Sequence, residues 1–189
     1  MARIAPKPWD HLDTGSRRRI EEGKASGMYP ETTSMCVVAH SPEALAAMHD
    51  SYKAIFGKST LGHSLQELIR IRSAQLNGCD LCAAARKDDS LSEADIACEI
   101  EGSGPLGERE RLALCVLTLM ATDHHKIDSN TFRELATLFS TREVVELVWF
   151  CGNCIGTHRF MHALDMMGTE APILGVRPSN EVDPPLDTS

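Results

Sequence analysis

The chain is expected to be all-α, and three observations lead there. Apolar residues recur at three- and four-residue intervals through most of its 189 residues, no alternating strand pattern holds anywhere, and short connectors marked by capping residues join the runs. An aromatic content of 5% together with short connectors fits a helical bundle. Hydrophobic residues at 42% and charged residues at 24% suffice for one globular domain of ordinary size.

Residues 1 to about 30 read as an arm carrying a short helix, with Ser16 as its cap before the basic run Arg17-Arg18-Arg19. After a turn at Tyr29-Pro30, a short apolar segment leads to Ser41-Pro42-Glu43. Serine at the cap and proline at the first helical position mark a helix start. Leu45, Met48, Tyr52, Ile55 and Phe56 form its apolar stripe, ending at Gly57. Ser64 to Leu76 is the next helix, stopped by Asn77-Gly78, and Cys79 opens a further helical run through Ala85. Another helix is expected from Ser92, then a glycine-rich loop at 102–107, then a helix from Glu108 to Ala121. Asp123-His124-His125-Lys126 is a polar connector; adjacent histidines project differently, and no thiol or carboxylate is spaced to join them on a metal. Helices follow from Asp128 to Phe139 and, capped by Thr141, on to about Gly168. The expected organisation is an arm at 1–30, a helical domain at 31–168 and an extended proline-containing tail at 169–189.

A formal charge of −8 at pH 7 argues against a nucleic-acid or anionic-membrane surface. No run of about 20 apolar residues exists to span a bilayer. The start lacks the apolar core of a signal peptide, so a cytoplasmic location is expected. Seven cysteines, an odd count, do not suit a complete disulfide framework. Cys36, Cys98 and Cys115 stand singly in apolar surroundings and are expected to pack.

The stretch from Glu67 to Arg86 concentrates the chemistry: a carboxylate, a chain break, Cys79-x-x-Cys82, and a cation four residues on. In one unbroken helix Glu67 and Cys82 would lie roughly 22 Å apart at about 1.5 Å per residue. A reversal at Asn77-Gly78 instead returns the region of Glu67 toward Arg86 and Lys87, and Arg86 shares a face with Cys82 at i, i+4. Cysteines at a helix start beside an arginine favour the thiolate, and the second thiol can close a disulfide after oxidation. Glu146…Cys151-x-x-Cys154-x-x-x-His158 is a weak echo inside a long apolar helix. Its cysteines are expected to pack, while His158 is a candidate proton carrier.

On these residues, Ser34 to Met167 resembles the carboxymuconolactone decarboxylase-like superfamily, in its branch with alkyl hydroperoxidase D-type CxxC motifs. The markers are Ala39-His40-Ser41-Pro42-Glu43, Glu67-Leu-Ile-Arg-Ile-Arg-Ser, Asn77-Gly-Cys-Asp-Leu-Cys82, and a late helix from Val145 with Arg159 and Ala163. The resemblance implies an AhpD-like helical bundle assembling as a dimer, trimer or hexamer. It implies thiol-based reduction of a small hydroperoxide, restored by an external dithiol, with no cofactor. By position, Cys82 would attack the peroxide, Cys79 would resolve it, and Glu67 would draw a proton from Cys82 through an intervening group. The family pattern has histidine where this chain has Arg86. Arginine stays protonated, so Arg86 would pair with Glu67 and stabilise a Cys82 thiolate, leaving proton donation to His158 or His63. Three alternatives stand beside this: a non-catalytic oligomeric scaffold, a decarboxylase-like member, and a zinc site built from Cys79, Cys82, Cys151 and Cys154.

Overall fold

A computed structural model of the chain describes residues 2–88, 91–92, 96, 107–166, 168 and 171–175. Among these residues there are eight α-helices and no strand, with one isolated bridge between Ile4 and Leu174. The expected helix from Ser92, Cys98, the loop at 102–106 and the tail beyond Gly175 lie outside the described residues.

The helices start where side chains can hold the first free N–H groups. In α3 (Pro42–Lys58) Ser41 accepts from the Ala44 N–H and Pro42 opens the helix. Two caps differ from expectation. Helix α1 (Thr14–Ala25) is capped by Asp13, not Ser16: the carboxylate accepts the Ser16 N–H at 2.8 Å and adds charge favourable to a helix N-terminus. Helix α8 (Thr141–Ala163) is capped by Ser140, not Thr141, because Glu143 then falls at the third position and closes a reciprocal capping box. The others are α2 (Thr33–Val38), α4 (His63–Leu76), α5 (Asp80–Ala84), α6 (Glu108–Thr122) and α7 (Ser129–Leu138).

Helix α4 is the interior element, packed against α5, α6 and α8. Its Leu65, Leu68 and Ile69 meet Leu117 of α6 and Leu147 and Phe150 of α8 in the larger core. Each such side chain, fully buried, contributes on the order of 1.5–3 kcal/mol. A second core joins Leu12, Ile20 and Tyr29 from the first 30 residues to Leu45 of α3, Ala74 and Cys79, and Met161 of α8. The segment read as an arm therefore lies against the bundle. Its first residues also bond to the far end of the described chain, Arg3 N–H to Leu164 O at 2.9 Å and Ala5 N–H to Leu174 O at 2.8 Å. Cys36 is buried as expected, but Cys115 falls on the exposed side of α6. Among the described residues no helix is long and apolar enough to cross a membrane.

Because α4 is enclosed on several sides, its polar residues are buried too: Gln66, Glu67, Arg70 and Ser73. Buried polar groups must find partners. Most of those partners build the region described next.

Candidate active site at the Cys79–Cys82 turn

Helix α4 ends in a Schellman arrangement. The Gly78 N–H donates to Gln75 O and the Cys79 N–H to Ala74 O, at 3.3 and 2.9 Å. Gly78 takes a φ of +66°, a left-handed conformation that glycine adopts freely. The turn is braced by α8, with Arg159 Nε donating to Asn77 Oδ1 at 2.7 Å and His162 Nδ1 lying 3.2 Å from Gly78 O. Cys79 emerges as the N-cap of α5, a helix of five residues.

Folding the chain back does return Glu67 to the segment after the cysteines, but not to Arg86. The Glu67 carboxylate is held by Arg70, one turn along its own helix, through Nε at 2.8 Å and Nη2 at 2.7 Å. Its Oε1 also accepts the Lys87 backbone N–H at 2.8 Å. Both members of the pair are buried, at 2% and 4% exposure. Arg70 in turn donates to Cys82 O and, at 2.5 Å, to Ala85 O. A buried guanidinium thus satisfies carbonyls at the end of α5, where no further turn exists to do so. Arg86 donates instead to the carbonyls of Ala83 and Ala85, at 2.5 and 3.0 Å. The i, i+4 face expected to join Arg86 to Cys82 does not form, because α5 stops at Ala84 and Ala85 turns extended. The expected pairing of Glu67 with Arg86 is therefore replaced by Glu67–Arg70.

The two thiols share a hydrogen bond, and that bond sets their titration. The Cys82 S–H directed at Cys79, outweighing burial, lowers the Cys79 thiol to about 7. The same bond, then burial, raises Cys82, against a smaller opposing effect of Arg70. The first proton to leave the pair therefore leaves early and the second late, as for any two acids that hold one proton between them. This differs from the expectation of a Cys82 thiolate stabilised by Arg86: the negative charge rests by preference on Cys79. Exposure runs the other way. Cys79 is buried, whereas Cys82 is partly exposed and lines a cavity of about 90 Å³.

That cavity is mostly apolar, walled by the thioethers of Met28, Met35 and Met48 and by Tyr52 and Phe56. Its polar wall includes Cys82, Arg70, Lys87, Cys154 and His158, with Tyr29 and Glu31 on the side of the N-terminal segment. His158 was expected near a relay and does reach this wall, with Nδ1 2.9 Å from Ser73 Oγ. Burial, then Arg70 and Lys87, lowers it to about 4, so the ring is neutral at neutral pH. His63, the other expected donor, opens α4 and does not line the cavity. Cys151 and Cys154 sit mid-helix in α8, both buried. Burial raises both thiols, Cys154 to about 12. Among the described residues no three His, Cys, Asp or Glu side chains are grouped to hold a metal, so the two cysteine pairs do not meet as a four-thiolate set.

Two functional groups escaped the sequence. Arg70 had a local signal, the i, i+3 spacing from Glu67. The reversal does bring Lys87 to Glu67, through its backbone N–H at 2.8 Å, but its amine enters the cavity through tertiary contacts with Met28 and Tyr52 that no local pattern signals.

Comparison with solved structures gives the same architecture. A protein from Ralstonia eutropha JMP134, described as an alkylhydroperoxidase AhpD core and an uncharacterized peroxidase-related protein, is 17% identical with a TM-score of 0.74, over 87% of this chain and 90% of that one. An uncharacterized peroxidase-related protein from Silicibacter sp. TM1040 is 22% identical, TM-score 0.71, over 82% and 85%. A debrominase in its apo form is 20% identical, TM-score 0.69, over 86% and 89%. No family model and no curated protein matches the sequence.

Proposed function

We propose that this chain, which has the all-α fold of the AhpD-like proteins in the carboxymuconolactone decarboxylase-like superfamily, is a thiol-dependent peroxidase that reduces small hydroperoxides with Cys79 and Cys82. One observation carries the reading: a braced turn sets two thiols within hydrogen-bonding reach of each other, with one of them opening onto a small apolar cavity. Such a pair ionises near neutral pH and has its disulfide partner already in contact. The peroxidase-related names of the fold neighbours agree with it.

The chemistry assigned to the site balances as follows. With the shared proton on Cys79, the Cys82 thiolate attacks the terminal oxygen of the hydroperoxide. An S–O bond forms, the O–O bond breaks, and the departing oxygen takes up a proton to leave as alcohol or water. The Cys82 sulfenic acid then condenses with Cys79, forming the disulfide and releasing water, and an external dithiol restores both thiols. Cys82 is the attacking sulfur because it faces the cavity, although charge prefers Cys79. Arg70 is a positioning residue that holds the Cys82 and Ala85 carbonyls, Glu67 positions Arg70 and the Lys87 N–H, and Arg86, permanently protonated, transfers no proton. His158, neutral across the working range, is a polar wall and a poor reservoir of protons.

Self-association is part of the same proposal. Val145 and Trp149 stand one turn apart on α8 at 65% and 63% exposure. Beside them Gly152 and Gly156 line an open groove, and this face is assigned to a helix of a second copy.

The test is direct. After a few equivalents of tert-butyl hydroperoxide, mass spectrometry of wild-type protein is expected to show a Cys79–Cys82 bridge, and dithiothreitol to sustain peroxide consumption. Cys82→Ser is expected to abolish both. Wild-type protein that consumes no peroxide and forms no bridge defeats the proposal.

A further inference from the structure

The proposed reaction leaves one proton without a source. An alkoxide or hydroxide leaving group must be protonated as the O–O bond breaks, and the position where the family pattern supplies histidine holds Arg86, turned to its own carbonyls. Resting on the peroxidase reading, we propose that Lys87 is the catalytic acid: its ammonium group, on the cavity wall shared with Cys82, gives its proton to the departing oxygen.

Three contacts aim that amine inward. Its backbone N–H is pinned by Glu67 Oε1 at 2.8 Å, fixing where the side chain begins. Nζ donates to Met28 O at 2.8 Å and to the Tyr52 hydroxyl. It also lies 4.2 Å from the centre of the Tyr52 ring, with Phe56 at 5.5 Å. Two of the three ammonium protons are thus held by the protein, leaving one for a ligand. The cavity of about 90 Å³ exceeds the roughly 10–15 Å³ that a single water needs, and Cys82 and Lys87 both stand on its wall.

The other charged or titratable groups around it do not serve. From the N-terminal segment, Tyr29 and Glu31 line the cavity; burial raises Tyr29 to about 12, and both oxygens of the Glu31 carboxylate accept the Ser34 N–H at 3.1 Å. From α4, Arg70 is committed to Glu67 and to carbonyls. From α8, Cys154 is raised and His158 lowered to about 4. From α5, Cys82 is the nucleophile itself. Lys87 is lowered by burial to about 8, so it is charged at neutral pH yet gives up a proton readily. The step balances: thiolate, hydroperoxide and ammonium yield sulfenic acid, alcohol and amine, and the amine is recharged from solvent between turnovers.

Single-turnover oxidation of the reduced protein tests this with three reagents. With tert-butyl hydroperoxide the wild-type rate is expected to rise through pH about 7 and fall above about 8. Lys87→Met is expected to lose about 10²- to 10⁴-fold, the range for a general acid, along with the alkaline fall. Lys87→Arg, permanently charged, is expected to lose the alkaline fall as well. Peracetic acid expels acetate, which needs no proton, so Lys87→Met is expected to react with it at nearly the wild-type rate. Alkylation of Cys82 by iodoacetamide is likewise expected to persist. Equal slowing with all three reagents, or an unslowed reaction with tert-butyl hydroperoxide, overturns the role of Lys87 while leaving the peroxidase standing. A wild-type dithiol that neither oxidant touches overturns both.

Discussion

Two Cys-x-x-Cys pairs occur in this chain, and although Cys82 and Cys154 reach the same cavity, their surroundings differ. Cys79 and Cys82 follow a left-handed glycine, start a five-residue helix and share a proton, so the first ionisation is brought down to about 7. Cys151 and Cys154 lie in the middle of a 23-residue helix, enclosed by the core, and burial raises both. In the first pair the dominant influence is a thiol donating to a sulfur; in the second it is loss of water. The motif therefore does not set reactivity. What sets it is whether the chain stops beside the motif, freeing a turn for the sulfurs to face each other.

The largest difference is in rate. Between about 7 for Cys79 and about 12 for Cys154, the thiolate fraction at neutral pH differs by about five decades, and the greater nucleophilicity of the more basic thiolate returns about two. Iodoacetamide labelling, read by peptide mass spectrometry, is expected to modify the 79/82 pair roughly 10³-fold faster than the 151/154 pair. The sign in pH follows. The labelling rate of the first pair is expected to climb as pH rises through about 7, where its shared proton first leaves, and the second pair to stay unreactive there. Comparable rates for the two pairs would erase the distinction.

The helices were legible because their signals are local. Ser41-Pro42 and the period of Leu45, Met48 and Tyr52 specify α3 without reference to the rest of the chain. The stop at Asn77-Gly78 was equally local. The partner of Glu67 was local as well, Arg70 at i, i+3; the reach of α5 was not. Assigning Glu67 to Arg86 needed α5 to continue one more turn, and nothing near Ala85 in the sequence announces that Arg70 will take the carbonyls there instead. The location of charge within the cysteine pair was hidden for the same reason: it depends on which sulfur faces which, a tertiary fact. Lys87 is the extreme case, an ordinary lysine in sequence whose surroundings come from four separate segments of the fold.

The acids of the two echoing segments sharpen the comparison. Glu67 is buried with Arg70, whereas Glu146 meets the mostly exposed Arg142 at 2.8 Å near the surface. Removing the charge of Glu67 leaves a buried guanidinium uncompensated. Glu67→Gln is expected to destabilise the fold by about 3–5 kcal/mol, measured as a shift in the urea midpoint. Coupling it with Arg70→Met is expected to recover much of that loss, because the stranded charge is gone. For Arg142→Gln the expected loss is below about 1 kcal/mol. A Glu67→Gln effect as small as that of Arg142→Gln would mean that the pair does not hold α5 in place.

The smallest effect has opposite signs at the two motifs. Gly78, just before the first pair, has φ +66°, where a side chain costs about 1–2 kcal/mol. The ring of His162 also stands 3.4 Å from where the added carbon would sit. Gly152, inside the second pair, is an ordinary helical residue whose added carbon would meet only the end of Met120, at 3.7 Å. There alanine removes chain entropy from the unfolded state and introduces no clash, a gain of about 0.5–1 kcal/mol. Gly78→Ala is therefore expected to lower the urea midpoint and Gly152→Ala to raise it, compared in protein dilute enough to be monomeric so that the groove on α8 is empty. Should both substitutions stabilise, the break after α4 would not require a left-handed residue, and the local origin assigned to the reactive turn would fail with it.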